Sequence, residues 1–188
     1  MVVVCWHFMS TGCVVLVGTG PIADLLMQQA SDALARETGR QLVSHSVGES
    51  PDAVLSSGAE CTGLLRLNGD AARLHPNGGS WLSALADWRL PVLLLTPGDS
   101  DGGVSGAAAA WVALCRELGV PLLGVVQLRG PWLSQARRRD GLPWCGWIPE
   151  HNHPQHQDGV TALAGLIRRG QLTASPKAAA SSLSLIHI

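Results

Sequence analysis

The chain reads as one α/β domain, a mostly parallel sheet with helices on both faces and hence three layers. Three observations carry this expectation. Continuous apolar runs such as Cys13-Val14-Val15-Leu16-Val17-Gly18 have the character of strands buried on both faces. Between such runs lie segments of ten or more residues with apolar positions at helical spacing. The two kinds of segment alternate, which is the connectivity of βαβ units. The composition agrees: 46% of the 188 residues are hydrophobic and 14% charged, whereas disorder needs low hydrophobicity and high net charge.

Taken in order, the first strand ends at Gly18. Pro21 is expected to open a helix, where its missing N–H costs nothing. That helix carries Leu25, Leu26, Ala30 and Ala33 as an apolar stripe, reaches about Thr38, and is stopped by Gly39. Strands are expected near 41–47 and 62–67. His75-Pro76-Asn77-Gly78-Gly79 is a loop. Ser80 can cap a helix from Trp81 to about Arg89. Pro91 to Thr96 is the next strand, and a glycine-rich loop leads into an alanine-rich helix from about Ser105 to Leu118, stopped by Gly119. Strands follow at Pro121 to Leu128 and Trp144 to Ile148, and Asp158 can cap a last helix running to about Arg169.

Residues 9–170 are taken as the domain. Residues 1–8 read as an N-terminal extension, with Met9 opening a cleaner start. Residues 171–188 are rich in Ser, Ala and Thr and read as a flexible tail. The last six, Leu183-Ser184-Leu185-Ile186-His187-Ile188, read equally as ordinary tail or as translated DNA-library adapter, and are excluded from fold reasoning.

Charge and cysteine usage narrow the function classes. A formal net charge of −1 gives no basic surplus to hold a nucleic-acid backbone. The run Arg137-Arg138-Arg139 beside Arg129 is a solvated helix end or turn in preference to a phosphate patch. No apolar run reaches the ~20 residues of a membrane span. Five scattered cysteines without a CxxC pair suit a reducing, cytoplasmic setting rather than a disulfide framework. Cys13, Cys115 and Cys145 are expected to be small core residues.

Four groups of residues could carry chemistry. Gly18-Thr19-Gly20-Pro21-Ile22-Ala23 matches G-x-G-x-x-A between a strand and a helix, where glycines let a pyrophosphate approach a helix N-terminus. The acid that would hold a ribose ~20 residues on is poorly supplied: Ser44, His45 and Ser46 stand there, with Glu49 slightly late. A plain tight turn, a phosphate site and a full NAD(P) site all remain open. His151, His153 and His156 follow the last strand and could meet a zinc ion, against the plainer reading of a solvated loop. Asp99 and Asp101 could hold magnesium through water, although turn formation is the preferred role. Trp132, Trp144 and Trp147 surround the last strand and could line a pocket or a homodimer contact. A Gly-x-Ser-x-Gly elbow is absent from the sequence, so a hydrolase of that class has no support.

Residues 91–130, with Leu-Pro-Val-Leu-Leu-Leu, a helix, and Gly-Val-Pro-Leu-Leu-Gly-Val-Val, resemble the second half of dethiobiotin synthetases and cobyrinate amidases. Residues 139–150, containing Leu142-Pro143 and Ile148-Pro149-Glu150, are similar to a later strand of that family. The resemblance covers about a third of the chain. It implies an ATP- or ADP-binding domain, with Gly18, Thr19, Gly20 and Ala23 near phosphate and Gln127, Pro149 and Glu150 bordering the base. In the family an asparagine helps hold adenine; Gln127 is the nearest residue to that position. The family's P-loop requires a lysine, and the only lysine here is Lys177. Ordinary phosphoryl transfer is therefore not expected. An NAD(P)-dependent oxidoreductase and a ligand-free scaffold are the alternatives.

Overall fold

The computed structural model describes residues 12–57, 63–76 and 78–169. The expectations for the N-terminal extension, the tail, Cys5, Cys61 and Lys177 lie outside them. Six strands alternate with six helices in the order β1 (Val14–Gly18), α1 (Asp24–Thr38), β2 (Leu42–Ser46), α2 (Pro51–Ser57), β3 (Leu64–Asn68), α3 (Trp81–Asp87), β4 (Val92–Pro97), α4 (Ala107–Leu118), β5 (Leu122–Leu128), α5 (Ser134–Arg139), β6 (Trp144–Ile148) and α6 (His156–Arg169). The sheet is parallel throughout and its spatial order is β2-β3-β1-β4-β5-β6.

The layers follow from crossover handedness. A right-handed connection that moves one way along a sheet puts its helix on one face, and a move the other way puts it on the opposite face. Only β1→α1→β2 moves toward the β2 edge; the later connections move toward β6. Accordingly α1, joined by α6 after the last strand, covers one face. There Met27, Ala30, Ala33 and Leu34 pack with Val160, Leu163 and Ile167 on Leu16, Leu93, Leu95, Val126 and Ile148. On the other face Leu55 of α2, Trp81, Leu82 and Leu85 of α3, and Trp111, Val112 and Cys115 of α4 cover Val15, Val17, Leu65, Leu67, Leu94 and Val125. Alternate residues of one strand thus enter opposite cores, which is why β1 and β4 are apolar at almost every position.

Several local expectations are met by geometry. Gly39 and Gly119 close α1 and α4 in the left-handed conformation (φ 68° and 71°), which costs a residue without Cβ little. Ser80 caps α3 with a reciprocal box: its Oγ accepts from the Ser83 amide, and the Ser83 Oγ accepts from the Ser80 amide.

Others are corrected. Pro21 does not open α1, because Ala23, extended at ψ 126°, is the N-cap and the helix starts at Asp24. Asp158 is not a cap either; α6 starts at His156 and Asp158 lies inside its first turn, where a carboxylate complements the helix dipole. The short helices α2 and α5, of seven and six residues, have too few buried positions to show a helical period in the sequence. Cys115 and Cys145 are free thiols as expected, whereas Cys13 is buried and disulfide-bonded. Burial pushes both free thiols up, to about 11. Among the described residues no helix is long and apolar enough to cross a membrane.

The capping box makes α3 a test of local stability. Ser80→Ala removes the side-chain acceptor at the helix start and is expected to cost about 1 kcal/mol, read as a lower urea midpoint with an unchanged slope. An unchanged midpoint would mean that packing of Trp81, Leu82 and Leu85 alone holds the helix.

Candidate functional site

In open α/β sheets ligands bind beyond the carboxyl ends of the strands, where neighbouring strands send their connections opposite ways. Here that reversal falls on either side of β1, against β3 and against β4, and the β4 side leads on to β5 and β6. The turns after β1, β4, β5 and β6 therefore frame the candidate region.

The turn after β5 is the best-anchored of these. Arg129 and Gly130 are both left-handed (φ 59° and 58°), a conformation uncommon for a residue with a side chain. Gln127, fully buried on β5, donates its Nε2 to the carbonyl oxygens of Arg129 (2.9 Å), Pro131 (3.2 Å) and Gly130 (3.4 Å). The Trp147 indole N–H also donates to the Arg129 carbonyl, at 3.1 Å. From below, the Arg129 amide donates to Ile148 O and the Gly130 amide to a Glu150 carboxylate oxygen. A Cβ on Gly130 would run into the Asp99 carbonyl of the neighbouring turn, so glycine is required there twice over, for space and for φ.

This anchoring leaves the Arg129 side chain on the α1 side, where its Nη2 donates to Gln29 Oε1 at 3.1 Å. The two residues span a cleft of about 630 Å³ between α1 and the ends of β5 and β6. Leu26, Ala30, Ala33, Leu128, Ile148 and Pro149 give it an apolar lining, and Gln29, Arg36, Arg129, Glu150, His151 and His156 contribute polar groups. The Glu150 carboxyl is held below its ordinary range. The largest cause is a hydrogen bond from its own backbone N–H; desolvation opposes it, and the Gly130 amide and the charge of Arg129 add to it.

The structure thus brings Pro149, Glu150, His151 and His156 together at the cleft, which the other expected site residues do not line. Gln127 does not line the cleft. It is buried, its amide hydrogens face backbone carbonyls, and its role is to hold the turn. Gly18, Thr19, Gly20 and Ala23 form the β1–α1 turn, which does not line the cleft. Two amides that would cradle a phosphate there are already used: Thr19 N–H donates to Leu95 O and Gly20 N–H to Gly18 O, both at 2.9 Å. The α1 N-terminus beyond has no side-chain cap, and Asp24 occupies its first turn.

The full dinucleotide reading of the same turn meets a second obstacle. Dinucleotide folds of the 3-2-1-4-5-6 order place β2 beside β1, so that an acid after β2 reaches the ribose. Here β3 intervenes and β2 is the sheet edge. Glu49 is instead engaged locally, accepting from the Ser46 amide and pairing with His45.

The histidines do not form a metal centre. Among the described residues no group of three or more His, Cys, Asp or Glu side chains could hold a metal ion. His156 Nδ1 is bonded to Pro149 O at 2.8 Å, His153 Nδ1 accepts from the Gln155 amide, and the His153 ring stands edge-on to Trp147. Asp101 accepts from the Gly103 amide as a turn former. Arg138 and Arg139 are solvated at the end of α5, while Arg137 is buried, bonded to Gly102 O and Asp140 and stacked 4.8 Å over Trp144. Trp132 meets Trp144 edge to face, so the tryptophans expected at a surface contact also serve packing within the chain.

Sequence reasoning missed Gln29 and Arg36, which look like ordinary solvated positions of an amphipathic helix. Arg129 was read only as a neighbour of the basic run; its place between a strand and Gly130-Pro131 was the available signal. No family model matches the chain, and no curated protein matches it significantly.

Two outcomes follow from the anchoring. Gln127→Leu should lower stability by about 1–3 kcal/mol, the cost of unmade hydrogen bonds, and should raise amide exchange at Arg129 and Gly130; unchanged exchange there would contradict the clamp. Because the folded state depresses the Glu150 pKa, its contribution is present above the unfolded value of about 4.3 and is lost as pH falls through the lower folded one. Glu150→Gln should therefore flatten the acid limb of stability below about pH 4. A parallel acid limb would remove Glu150 from the network.

Proposed function

We propose that this domain binds a nucleotide-type small molecule in the cleft between α1 and the ends of β5 and β6, without P-loop phosphoryl transfer. The observation that carries the reading is the cleft itself. Its volume, about 630 Å³, lies within the range of small-molecule sites, and its composition, an apolar lining with a few polar groups, is of the kind such sites have. The Pro149–Glu150 segment, which the family resemblance puts beside the base, supplies part of one wall.

The charge pattern supports a ligand of mixed character. Arg129 and Arg36 offer donors to an anionic or carbonyl group, and Glu150 and Asp32 offer acceptors in the same lining. The engaged amides of Thr19 and Gly20 and the lack of any lysine before Lys177 both argue against the β1–α1 turn as a transfer site. A parallel α/β sheet is compatible with many activities, so the reading rests on the cleft and not on the architecture.

The test is calorimetric titration with ADP and with adenosine, on the wild type and on Gln29→Trp, which puts an indole into the cleft from the exposed side of α1. The expected result is saturable binding that Gln29→Trp weakens at least about tenfold, equivalent to 1.4 kcal/mol. Absence of heat at millimolar ligand, or equal affinity in the variant, would overturn it.

A further inference from the structure

We infer that His156 sets the specificity of this cleft, accepting a hydrogen bond through its bare Nε2 and so selecting a ring that presents an N–H or NH2 donor. The inference rests on the cleft being the ligand site and adds which chemistry it prefers.

The tautomer follows from one contact. His156 Nδ1 lies 2.8 Å from the Pro149 carbonyl oxygen. A carbonyl oxygen only accepts, so Nδ1 carries the hydrogen, and in the neutral ring Nε2 is left as a lone-pair acceptor. His153 is set the other way: its Nδ1 accepts from the Gln155 amide, which puts the hydrogen on Nε2. Two histidines three residues apart are thus fixed in opposite tautomers by backbone groups, and of the two it is His156 that lines the cleft.

The surroundings leave Nε2 for a ligand. His156 is partly buried at the first turn of α6, and its ring stands edge-on to the His151 ring, at 5.1 Å between centroids. Nε2 has no hydrogen-bond partner among the described residues, since the side chain's one bond is to Pro149. Across the cleft, Arg129 is a donor held by Gln29. Glu150 has one oxygen committed to the Gly130 amide. A flat ring on Leu26, Ala30 and Ile148 would then meet an acceptor, His156 Nε2, and a donor, the Arg129 guanidinium. A ring lacking its own donor would leave Nε2 desolvated and unpaired, and that asymmetry is what makes polar recognition selective.

The test uses adenosine and purine riboside, which differ by the exocyclic amine alone, titrated into the full chain. The expected wild-type preference for adenosine is about three- to tenfold, the range of one neutral hydrogen bond. Two variants separate recognition from structure. His156→Asn keeps a donor near the Nδ1 position, toward Pro149, and removes the Nε2 acceptor. His156→Gln gives up that donor and can place an oxygen near the Nε2 position. We expect His156→Asn to bring the adenosine preference to about one and His156→Gln to retain most of it. The opposite pattern, with Asn innocuous and Gln harmful, would make His156 merely structural and overturn the inference while leaving the cleft in place. An equal affinity of the wild type for the two nucleosides would do the same. Adenosine that fails to bind, or that binds Gln29→Trp unchanged, would overturn the cleft reading and this one with it.

Discussion

The Gln127 carboxamide is the constraint on which the geometry around the cleft depends. One buried side chain on β5 donates to three successive carbonyls of the following turn, and this supports Arg129 and Gly130 in the left-handed conformation. A non-glycine residue there is disfavoured unless its surroundings over-determine it. The surroundings here include the Trp147 indole, Ile148 O and the Glu150 carboxylate as well. The arrangement has one unmet group, the buried Gln127 Oε1, which has no partner. The same holds for the hydroxyls of Thr96, its register neighbour on β4, and of Thr19 at the end of β1. Three orphaned oxygens, on β4 and β5 and just after β1, mark where this edge departs from an all-apolar core, and internal water is the usual partner for such atoms.

From that turn the placement of the cleft follows. Fixing the backbone of Arg129 directs its side chain to Gln29 on α1, while the β6–α6 loop is tied to the same turn through Glu150. The α1 wall is held in turn by the sheet, through Met27, Ala30 and Leu34, and by α6, whose Thr161 donates to Glu37. A cleft whose walls are a helix and two anchored loops changes little on binding unless the Arg129–Gln29 contact opens, and that contact is exposed and correspondingly weak.

Most of the fold was legible in the sequence, because buried parallel strands and long helices leave periodic signals. β1, β4 and β5 read as apolar runs, and α1 and α4 as stripes ended by Gly39 and Gly119. What was illegible was short or non-local. α2 and α5 bury too few residues to show a period, and the start of α1 was misplaced because Pro21 suits a first turn in general while Ala23 caps this one. The strand order, which separates this sheet from the dinucleotide-binding order, is a property of tertiary pairing that no local pattern carries. The site was half legible. Pro149 and Glu150 were placed by the family resemblance and the histidines by their clustering after a strand, as a zinc site, whereas the Gly18–Gly20 turn left tight turn and phosphate loop open in sequence, and the engagement of its amides is visible only in three dimensions. Gln127 was noticed for the wrong reason, since a buried amide that clamps its own turn and one that reads a base look the same in sequence.

The most direct test of this account is a backbone amide NMR titration of the ¹⁵N-labelled chain with ADP. The account predicts that the amides of Arg129, Gly130, Glu150 and His151 shift together and saturate, with Gln29 and Ala33 following on α1, while Thr19 and Gly20 stay in place. Shifts centred on Thr19, Gly20 and Ala23, with Arg129 and Glu150 unmoved, would contradict it and return the β1–α1 turn to the centre of the site.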